Sequence, residues 1–137
     1  MDRINDKIEE IMAFLEDLDE ITPESIEDYA SNKEKKAACE RYFEKILEAI
    51  TDTAFYVIKI KKLRIPGDDS DAFEVLKENK IIDDALSKKL RDAKGMRNIL
   101  AHQYGKTDDE IVFESIKNQL IPDIEEFIKQ IKKFLKK

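Results

Sequence analysis

Residues 33–63 read KEKKAACERYFEKILEAITDTAFYVIKIKKL. Apolar or small side chains recur in this stretch at steps of three and four, the spacing that places side chains on one face of an α-helix. The positions that share this face are Ala38, Tyr42, Ile46, Ala49, Ile50, Thr53, Val57 and Ile60. The pattern predicts one long helix from about Lys33 to Leu63, roughly 45 Å in length at 1.5 Å per residue.

Two helices are predicted on the N-terminal side of this stretch. The first has one apolar stripe at helical spacing, formed by Ile4, Ile8, Ile11, Met12, Leu15 and Leu18. Thr22-Pro23 then interrupts the stripe. We expect Thr22 to be the N-cap, and Pro23 the first helical residue, of a short second helix that runs to about Ala30.

On the C-terminal side, residues 64–69 (RIPGDD) form the clearest loop, because Pro and Gly interrupt the apolar pattern there. Ser70 is expected to cap a short helix that carries Phe73, Val75 and Leu76. A further helix is predicted to run to about His102, with Gly105 as its C-terminal stop. Its apolar positions are Leu86, Leu90, Ala93, Met96 and Leu100.

A last helix is predicted to start at Thr107-Asp108-Asp109-Glu110, which matches the capping box Thr-x-x-Glu. We expect Pro122 to kink this helix, because proline lacks the N–H that an interior helical residue donates. The inward positions are Ile116, Leu120, Ile124, Phe127, Ile131 and Phe134.

The composition favours helices. Three glycines and three prolines leave few residues for the turns of a many-stranded protein, and 42% hydrophobic residues are enough for one core. The sequence therefore predicts an all-α fold, an antiparallel bundle of four to five helices, as a single domain that spans residues 1–137.

Cys39 is the only cysteine, so one chain alone cannot form a disulfide or a thiolate metal site. No apolar run reaches the ~20 residues that span a bilayer, and the N-terminus lacks the basic and then apolar order of a signal peptide. We therefore expect a soluble cytoplasmic protein without a membrane partner. The sequence has no Gly-rich phosphate loop and no His/Cys cluster, so we expect neither a cofactor nor a metal.

The charges are distributed unevenly along the chain. The net charge is −6, yet residues 1–32 hold 11 acids and 2 bases, while residues 33–137 hold 23 bases and 20 acids. The overall charge argues against a general nucleic-acid coat protein, since affinity for phosphates comes mainly from Lys and Arg. We expect an anionic ligand to bind to the second part of the chain, because bases outnumber acids there.

The only histidine, His102, lies in the run RNILAHQY at residues 97–104. It is the one side chain whose ordinary pKa lies near neutrality. Asn98 precedes it by four residues, so on a helix the two are neighbours and Asn98 can orient the imidazole. Arg97 and His102, five residues apart, diverge by about 140° on an ideal helix. Either the helix ends or loosens before His102, or a second subunit supplies a facing copy.

The same residues suit one kind of chemistry. Cleavage of RNA without a metal requires a base for the 2′-hydroxyl, an acid for the leaving oxygen and a cation for the charge on phosphorus. One histidine per chain cannot be base and acid at the same time. If the chain is a nuclease, its inventory therefore favours a symmetric homodimer.

Arg97, four residues, His102, one residue and then Tyr104, with Asn98 directly after the arginine, resemble the Arg-x4-His-x-Tyr signature of the HepT-like toxins in the HEPN superfamily. The resemblance extends less specifically to the chain length, to the long helix with its Arg-Tyr-Phe-Glu run at 41–44, to the Gly-Met lead-in at 95–96 and to the final amphipathic helix.

This resemblance implies the toxin of a type VII toxin–antitoxin system with a HEPN-like helical fold. Such proteins are homodimers whose motifs face each other across a cleft, and they cleave RNA as metal-independent endoribonucleases. Arg97 and His102 would be the catalytic residues and Asn98 their support. The partner would be an MntA-like nucleotidyltransferase antitoxin, which uses ATP to transfer AMP to the motif tyrosine, here Tyr104. The added phosphate would compete with RNA for Arg97.

Two other interpretations are left open by the sequence. A noncatalytic helical partner that binds substrate for a small nucleotidyltransferase would use the same fold without cutting RNA. A purely structural helical adaptor would explain the apolar stripes, but it gives the residues of the run at 97–104 no shared purpose.

Overall fold

The computed structural model describes the backbone of residues 2–102 and 109–136, and the side chains of residues 3–96 and 109–136. Within these ranges every regular element is a helix, which confirms the all-α prediction. The elements are α1 (Asp2–Ile21), α2 (Ile26–Ser31), α3 (Lys33–Ile60), α4 (Asp69–Glu78), α5 (Asp84–His102), α6 (Asp109–Glu114), a π-helical segment (Ser115–Leu120) and α7 (Ile121–Leu135). The predicted number of four to five helices is not confirmed, because these ranges hold more and shorter helical segments.

The long helix predicted from residues 33–63 is α3, and α1, α2, α4 and α5 pack on it. Asn32 caps it by accepting a hydrogen bond from the backbone N–H of Lys35 at 3.0 Å. Two buried threonines of α3 donate their hydroxyls to carbonyls one turn earlier, Thr51 to Leu47 and Thr53 to Ala49. These bonds satisfy the hydroxyls, so the two threonines can be buried. α3 is buried along much of its length, with α1, α4 and α5 packed against it.

The predicted start of the second helix is wrong. The Thr22 hydroxyl donates to the carbonyl of Leu18 at 2.6 Å, so Thr22 closes α1. The N-cap of α2 is Ser25, whose hydroxyl accepts from the N–H of Asp28 at 3.1 Å. A threonine hydroxyl serves a carbonyl one turn back as well as an N–H ahead, and the pattern around Pro23 did not distinguish the two.

The N-cap of α4 also differs from the expectation. Asp68, two residues before the predicted Ser70, accepts from the N–H of Asp71 at 2.7 Å and caps the helix. Arg64 in the preceding loop makes two-point hydrogen bonds to the carboxylates of both Asp71 and Glu78, at 2.8–3.0 Å. The loop is therefore held against both ends of α4.

The C-terminal region after α6 contains the π-helical segment directly before Pro122. A π turn accommodates proline for two reasons. The wider turn relieves the clash between the proline ring and the carbonyl one turn earlier, and it also accommodates the hydrogen bond that is missing because proline has no N–H. Pro122 thus lies in the first turn of α7, just after the π-helical segment, and the predicted kink stays a prediction. The predicted inward side chains of this region are buried except for Phe134, which is half-buried.

The buried apolar side chains of the described helices form one hydrophobic cluster. In α1 the predicted stripe is buried except for Met12, which is 49% exposed. Phe73 of α4 meets Phe127 of α7 edge to face, with ring centroids 6.2 Å apart. None of the described helices is long and apolar enough to cross a bilayer.

Candidate functional site

The candidate site lies on α5, and the first turn of this helix is capped. Asp83 accepts a hydrogen bond from the N–H of Leu86 at 2.8 Å and so satisfies one of the free donors at the helix start. Leu86 and Leu90 are buried, while Ala93 and Met96 are half-buried against the core. α5 is described as far as His102, and its predicted end near this residue stays a prediction.

Ion pairs join α5 to α4 along their shared length. They are Lys77 with Asp84 at 3.8 Å, Arg91 with Glu74 at 3.6 Å and Lys94 with Asp69 at 3.3 Å. Residue numbers rise along α5 as they fall along α4, so the two helices are antiparallel. The N-terminal end of α4 therefore lies beside the part of α5 that leads into the motif.

Lys94 is the one buried lysine among the described side chains, with 5% of its surface exposed. Its ammonium group lies 3.3 Å from the carboxylate of Asp69, as a buried cation requires. The sequence interpretation missed this residue. The spacing Lys94, Asn98, His102 repeats every four residues, so a search for charges on the stripe of His102 would have found it.

The backbone of Arg97, Asn98 and His102 is helical, as part of α5. α5 thus carries Arg97 and Asn98 on one turn and His102 on the next. Their side chains, Tyr104, the predicted helix stop Gly105 and the first two residues of the predicted capping box lie outside the described residues. The mutual geometry of the motif side chains therefore stays a prediction.

On the far side of residues 103–108, the start of α6 is anchored to α3. Lys36 of α3 and Asp109 of α6 form an ion pair at 2.6 Å. Tyr29 of α2 packs against Phe113 of α6, with ring centroids 5.4 Å apart. The helices before and after Tyr104 in the chain, α5 and α6, therefore both rest on described elements of the bundle.

The groups around this anchor have raised pKa values. Burial raises the pKa of the Tyr29 phenol far above its usual range, and the charge of Glu40 adds to the effect. Burial likewise raises the pKa of the Glu40 carboxyl, against the opposing effect of Lys36. Glu40 therefore keeps its proton to a higher pH than an exposed glutamate.

A cleft lies between α5 and the π-helical segment, and we call it the α5/π cleft. Its volume is about 380 Å³. It was missed by the sequence interpretation, which had assigned a plain α-helix to residues 115–120. Its principal lining residues are Asp92, Met96, Ser115, Asn118, Gln119 and Asp123. Since Met96 directly precedes Arg97 in α5, the α5/π cleft adjoins the start of the motif.

A larger cleft of about 600 Å³ lies at the other end of α5, between the α4–α5 turn and α7. Its lysines are Lys77, Lys80, Lys129 and Lys133.

Among the side chains of residues 3–96 and 109–136, no group of three or more His, Cys, Asp or Glu is placed to hold a metal ion.

Comparison with known proteins gives related sequences, two of which are nucleases by name. The chain is 35% identical over 85 residues to the mRNA nuclease HepT of Shewanella oneidensis, an alignment that covers 62% of this chain and 63% of that protein. It is 28% identical over 113 residues to the tRNA nuclease HepT of Aphanizomenon flos-aquae, which covers 82% of this chain and 77% of that protein. In the sequence alignment the chain thus spans less than two thirds of the Shewanella protein.

Solved structures share the fold, and two of them have a TM-score of 0.90. One is a toxin–antitoxin crystal structure with AMP-PNP, at 25% identity and a TM-score of 0.90 over 97% of this chain and 99% of that chain. The other is a tri-AMPylated Shewanella oneidensis HEPN toxin in complex with its MNT antitoxin, at 26% identity and a TM-score of 0.90 over 97% and 98% of the two chains. The fold of this chain is therefore that of the HEPN toxins.

The family model described as Ribonuclease HepT-like matches residues 6–131. This chain belongs to the HepT-like family, and the family prediction made from the motif is confirmed.

Proposed function

We propose that this chain is the RNA-cleaving toxin of a type VII toxin–antitoxin pair, a metal-independent endoribonuclease that acts on RNA in the cytoplasm. The observation that carries the proposal is the Arg-x4-His-x-Tyr motif at residues 97–104, whose Arg97, Asn98 and His102 lie on α5 of a HEPN-toxin fold. Residues 1–137 act as one HEPN-like domain in this proposal.

In the proposed reaction His102 acts as the base that removes the proton from the attacking 2′-hydroxyl. Arg97 stabilises the charge that develops on the phosphate. Asn98 orients His102 from one turn earlier in α5. Because each chain has one histidine, a second protomer supplies the group that protonates the leaving oxygen. The active form is therefore proposed to be a homodimer whose motifs face each other.

The antitoxin is proposed to be an MntA-like nucleotidyltransferase that adds AMP to Tyr104. One relative of known structure is a tri-AMPylated toxin in complex with an MNT antitoxin, which supports the same mode of control in this chain. An AMP group places negative charge near Arg97, where the phosphate of the RNA has to lie.

The test is cleavage of a mixed RNA by the purified chain in the presence of EDTA. We expect 2′,3′-cyclic phosphate or 3′-phosphate ends, and a loss of rate of about 100-fold or more in Arg97→Ala and in His102→Ala. Lys88→Ala, on the exposed face of the same helix, is the matched control and keeps the wild-type rate. Full activity in folded forms of both motif variants would refute the assignment of Arg97 and His102 as catalytic residues. An active enzyme that is strictly monomeric in light scattering would refute the site shared between two protomers.

The same assay separates this proposal from a noncatalytic partner of a nucleotidyltransferase. A noncatalytic chain would bind the nucleotidyltransferase but leave RNA intact at every enzyme concentration, and its expression would not arrest growth.

A further inference from the structure

The α5/π cleft has the size and wall chemistry for a flat heteroaromatic ring. Its volume of about 380 Å³ lies within the range for small-molecule sites, which starts near ~300 Å³. Apolar walls are contributed by Phe43, Ala93, Met96 and Leu120. Apolar side chains with a few polar groups among them are the usual lining of a site for such a ligand.

The polar groups of the cleft come mainly from the π-helical segment. Asn118 and Gln119 are adjacent in sequence and both line the cleft, although adjacent residues of an α-helix diverge by about 100°. Both side chains are exposed, and neither has a hydrogen-bond partner in the part of the chain that the structure describes. Each amide offers donors and an acceptor on one planar group, as in the Asn and Gln contacts that read base edges.

The charges inside the cleft exclude a phosphate as its occupant. Asp92 and Asp123 present carboxylates to it and Lys89 a single ammonium group, which lies 3.9 Å from Asp123. A phosphate would meet two like charges and a cation that is already paired. A nucleobase is neutral, and its amino groups are donors for these carboxylates.

The position of the cleft relates it to the motif. Met96 lines the cleft and Arg97 follows it in the same helix. Six residues of helix separate Met96 from His102, a rise of about 9 Å at 1.5 Å per residue. The cleft therefore begins less than two helical turns before His102 in α5.

We propose that the α5/π cleft holds a nucleobase of the RNA strand beside the cleaved bond, and that Asn118 and Gln119 set the base preference of the enzyme. The inference rests on the proposed function for its biological role. Sequence-specific binding of single-stranded RNA generally combines such amide contacts with apolar packing of the ring.

The binding test uses single-stranded oligonucleotides of one base each, with 2′-O-methyl groups that prevent attack on the phosphate. The side-chain amide signals of Asn118 and Gln119 are followed by NMR in the wild-type chain. We expect both amides to shift, and to shift most with one of the four bases. Unchanged signals at saturating oligonucleotide overturn the inference, and so does a shift with free AMP but with no oligonucleotide.

The cleavage test compares the bases that flank the cut sites in a random RNA pool. Asn118→Asp and Gln119→Glu keep side-chain size but replace the amide donors, and we expect each to change the ratio of the most to the least favoured base about tenfold. Asn5→Asp, at an exposed amide on α1, leaves the ratio unchanged. An identical cut-site profile in the cleft variants overturns the inference. If the wild-type chain cuts no RNA, the proposed function fails, and the NMR result alone decides whether the cleft binds a base.

Discussion

Asp83 and Gln130 exchange two hydrogen bonds across the bundle. The backbone N–H of Asp83 donates to Oε1 of Gln130, and Nε2 of Gln130 donates to Oδ2 of Asp83, both at 2.9 Å. Since Asp83 also caps α5, this pair joins the start of the motif helix to α7.

Gln130→Ala should lower the free energy of unfolding by about 1–2 kcal/mol, because it removes both bonds and leaves the N–H of Asp83 without its partner. Urea unfolding followed by circular dichroism measures the change. Lys129→Ala, at an exposed neighbour on α7, is the control and should change stability by less than about 0.5 kcal/mol. Equal effects of the two substitutions would show that the exchange with Asp83 does not stabilise the fold.

Tyr29→Phe should raise the free energy of unfolding by about 1 kcal/mol. The Tyr29 hydroxyl is buried without a hydrogen-bond partner in the described part of the structure, and an unsatisfied buried polar group is destabilising. Tyr42→Phe is the matched control, because the Tyr42 hydroxyl donates to Asp17 at 3.2 Å and its removal should slightly lower stability. A loss of stability in Tyr29→Phe would mean that its hydroxyl makes a favourable contact.

The Arg64 cluster should make stability depend on pH in the acid range. Hydrogen bonds from Arg64, and then from the N–H of Gly67, lower the pKa of Asp71 to about 2, and Arg64 also lowers that of Glu78. A pKa that is lower in the folded state stabilises the fold above the ordinary value of about 4. The stabilisation is then lost as the pH falls through the folded-state pKa, here from about 4 towards 2.

Thermal unfolding of the wild type and of Arg64→Ala between pH 2 and pH 7 checks this dependence. We expect a higher midpoint for the wild type at neutral pH and a difference that shrinks below about pH 4. Arg41→Ala removes a single exposed contact to Glu44 at 3.4 Å and should have little effect at any pH. A difference between the wild type and Arg64→Ala that stays constant down to pH 2 would contradict the assignment.

Lys80→Gly should stabilise the protein by up to about 1 kcal/mol. Lys80 has a φ of 58°, a left-handed conformation that costs a residue with a Cβ atom more than it costs glycine. Lys80 lies just after α4. Its N–H donates to the carbonyl of Lys77, and the N–H of Ile81 donates to the carbonyl of Leu76. Glycine is the usual residue at such a left-handed position after a helix C-terminus. Chemical denaturation gives the change. Asn79→Gly, at a φ of −98°, should be destabilising, and a gain in both variants would argue against the conformational cause.

Tyr104→Phe should abolish acceptance of AMP and leave the fold and the RNA cleavage intact. The substitution removes only the phenolic oxygen to which the nucleotidyltransferase is proposed to join AMP. Intact mass, measured after incubation with the partner enzyme and ATP, should rise by one or more AMP units in the wild type and not in the variant. Modification of both forms to the same extent would place the acceptor on another residue.

The sequence predicted the helices more accurately than their ends. Periodicity located α3 because its apolar face continues for many turns, and a long stripe leaves little ambiguity. The caps were missed where several residues offer the same oxygen, as in the choice between Thr22 and Ser25. Only the hydrogen bonds of the folded chain distinguish such neighbours.

The α5/π cleft was missed because the residue spacing does not distinguish its π segment from an α-helix. Val112, Ile116, Leu120 and Ile124 are buried at three successive steps of four residues, but Ile46, Ile50, Ala54 and Ile58 are buried at the same spacing in the α-helix α3. Ion pairs such as Lys94 with Asp69 were missed because they depend on the packing of α4 against α5, which no local pattern encodes.

The number of residues in the π-helical segment determines how the apolar face of α6 is oriented relative to that of α7. A π turn holds about one residue more than an α turn, so the apolar faces of α6 and α7 coincide only while that extra residue is present. Deleting one residue between 115 and 120 would rotate α6 by about 100° relative to α7 and turn Val112 and Phe113 away from the core. A relative that is one residue shorter here would need its apolar positions shifted as well, and it would lack the turn that presents two adjacent amides to one cleft.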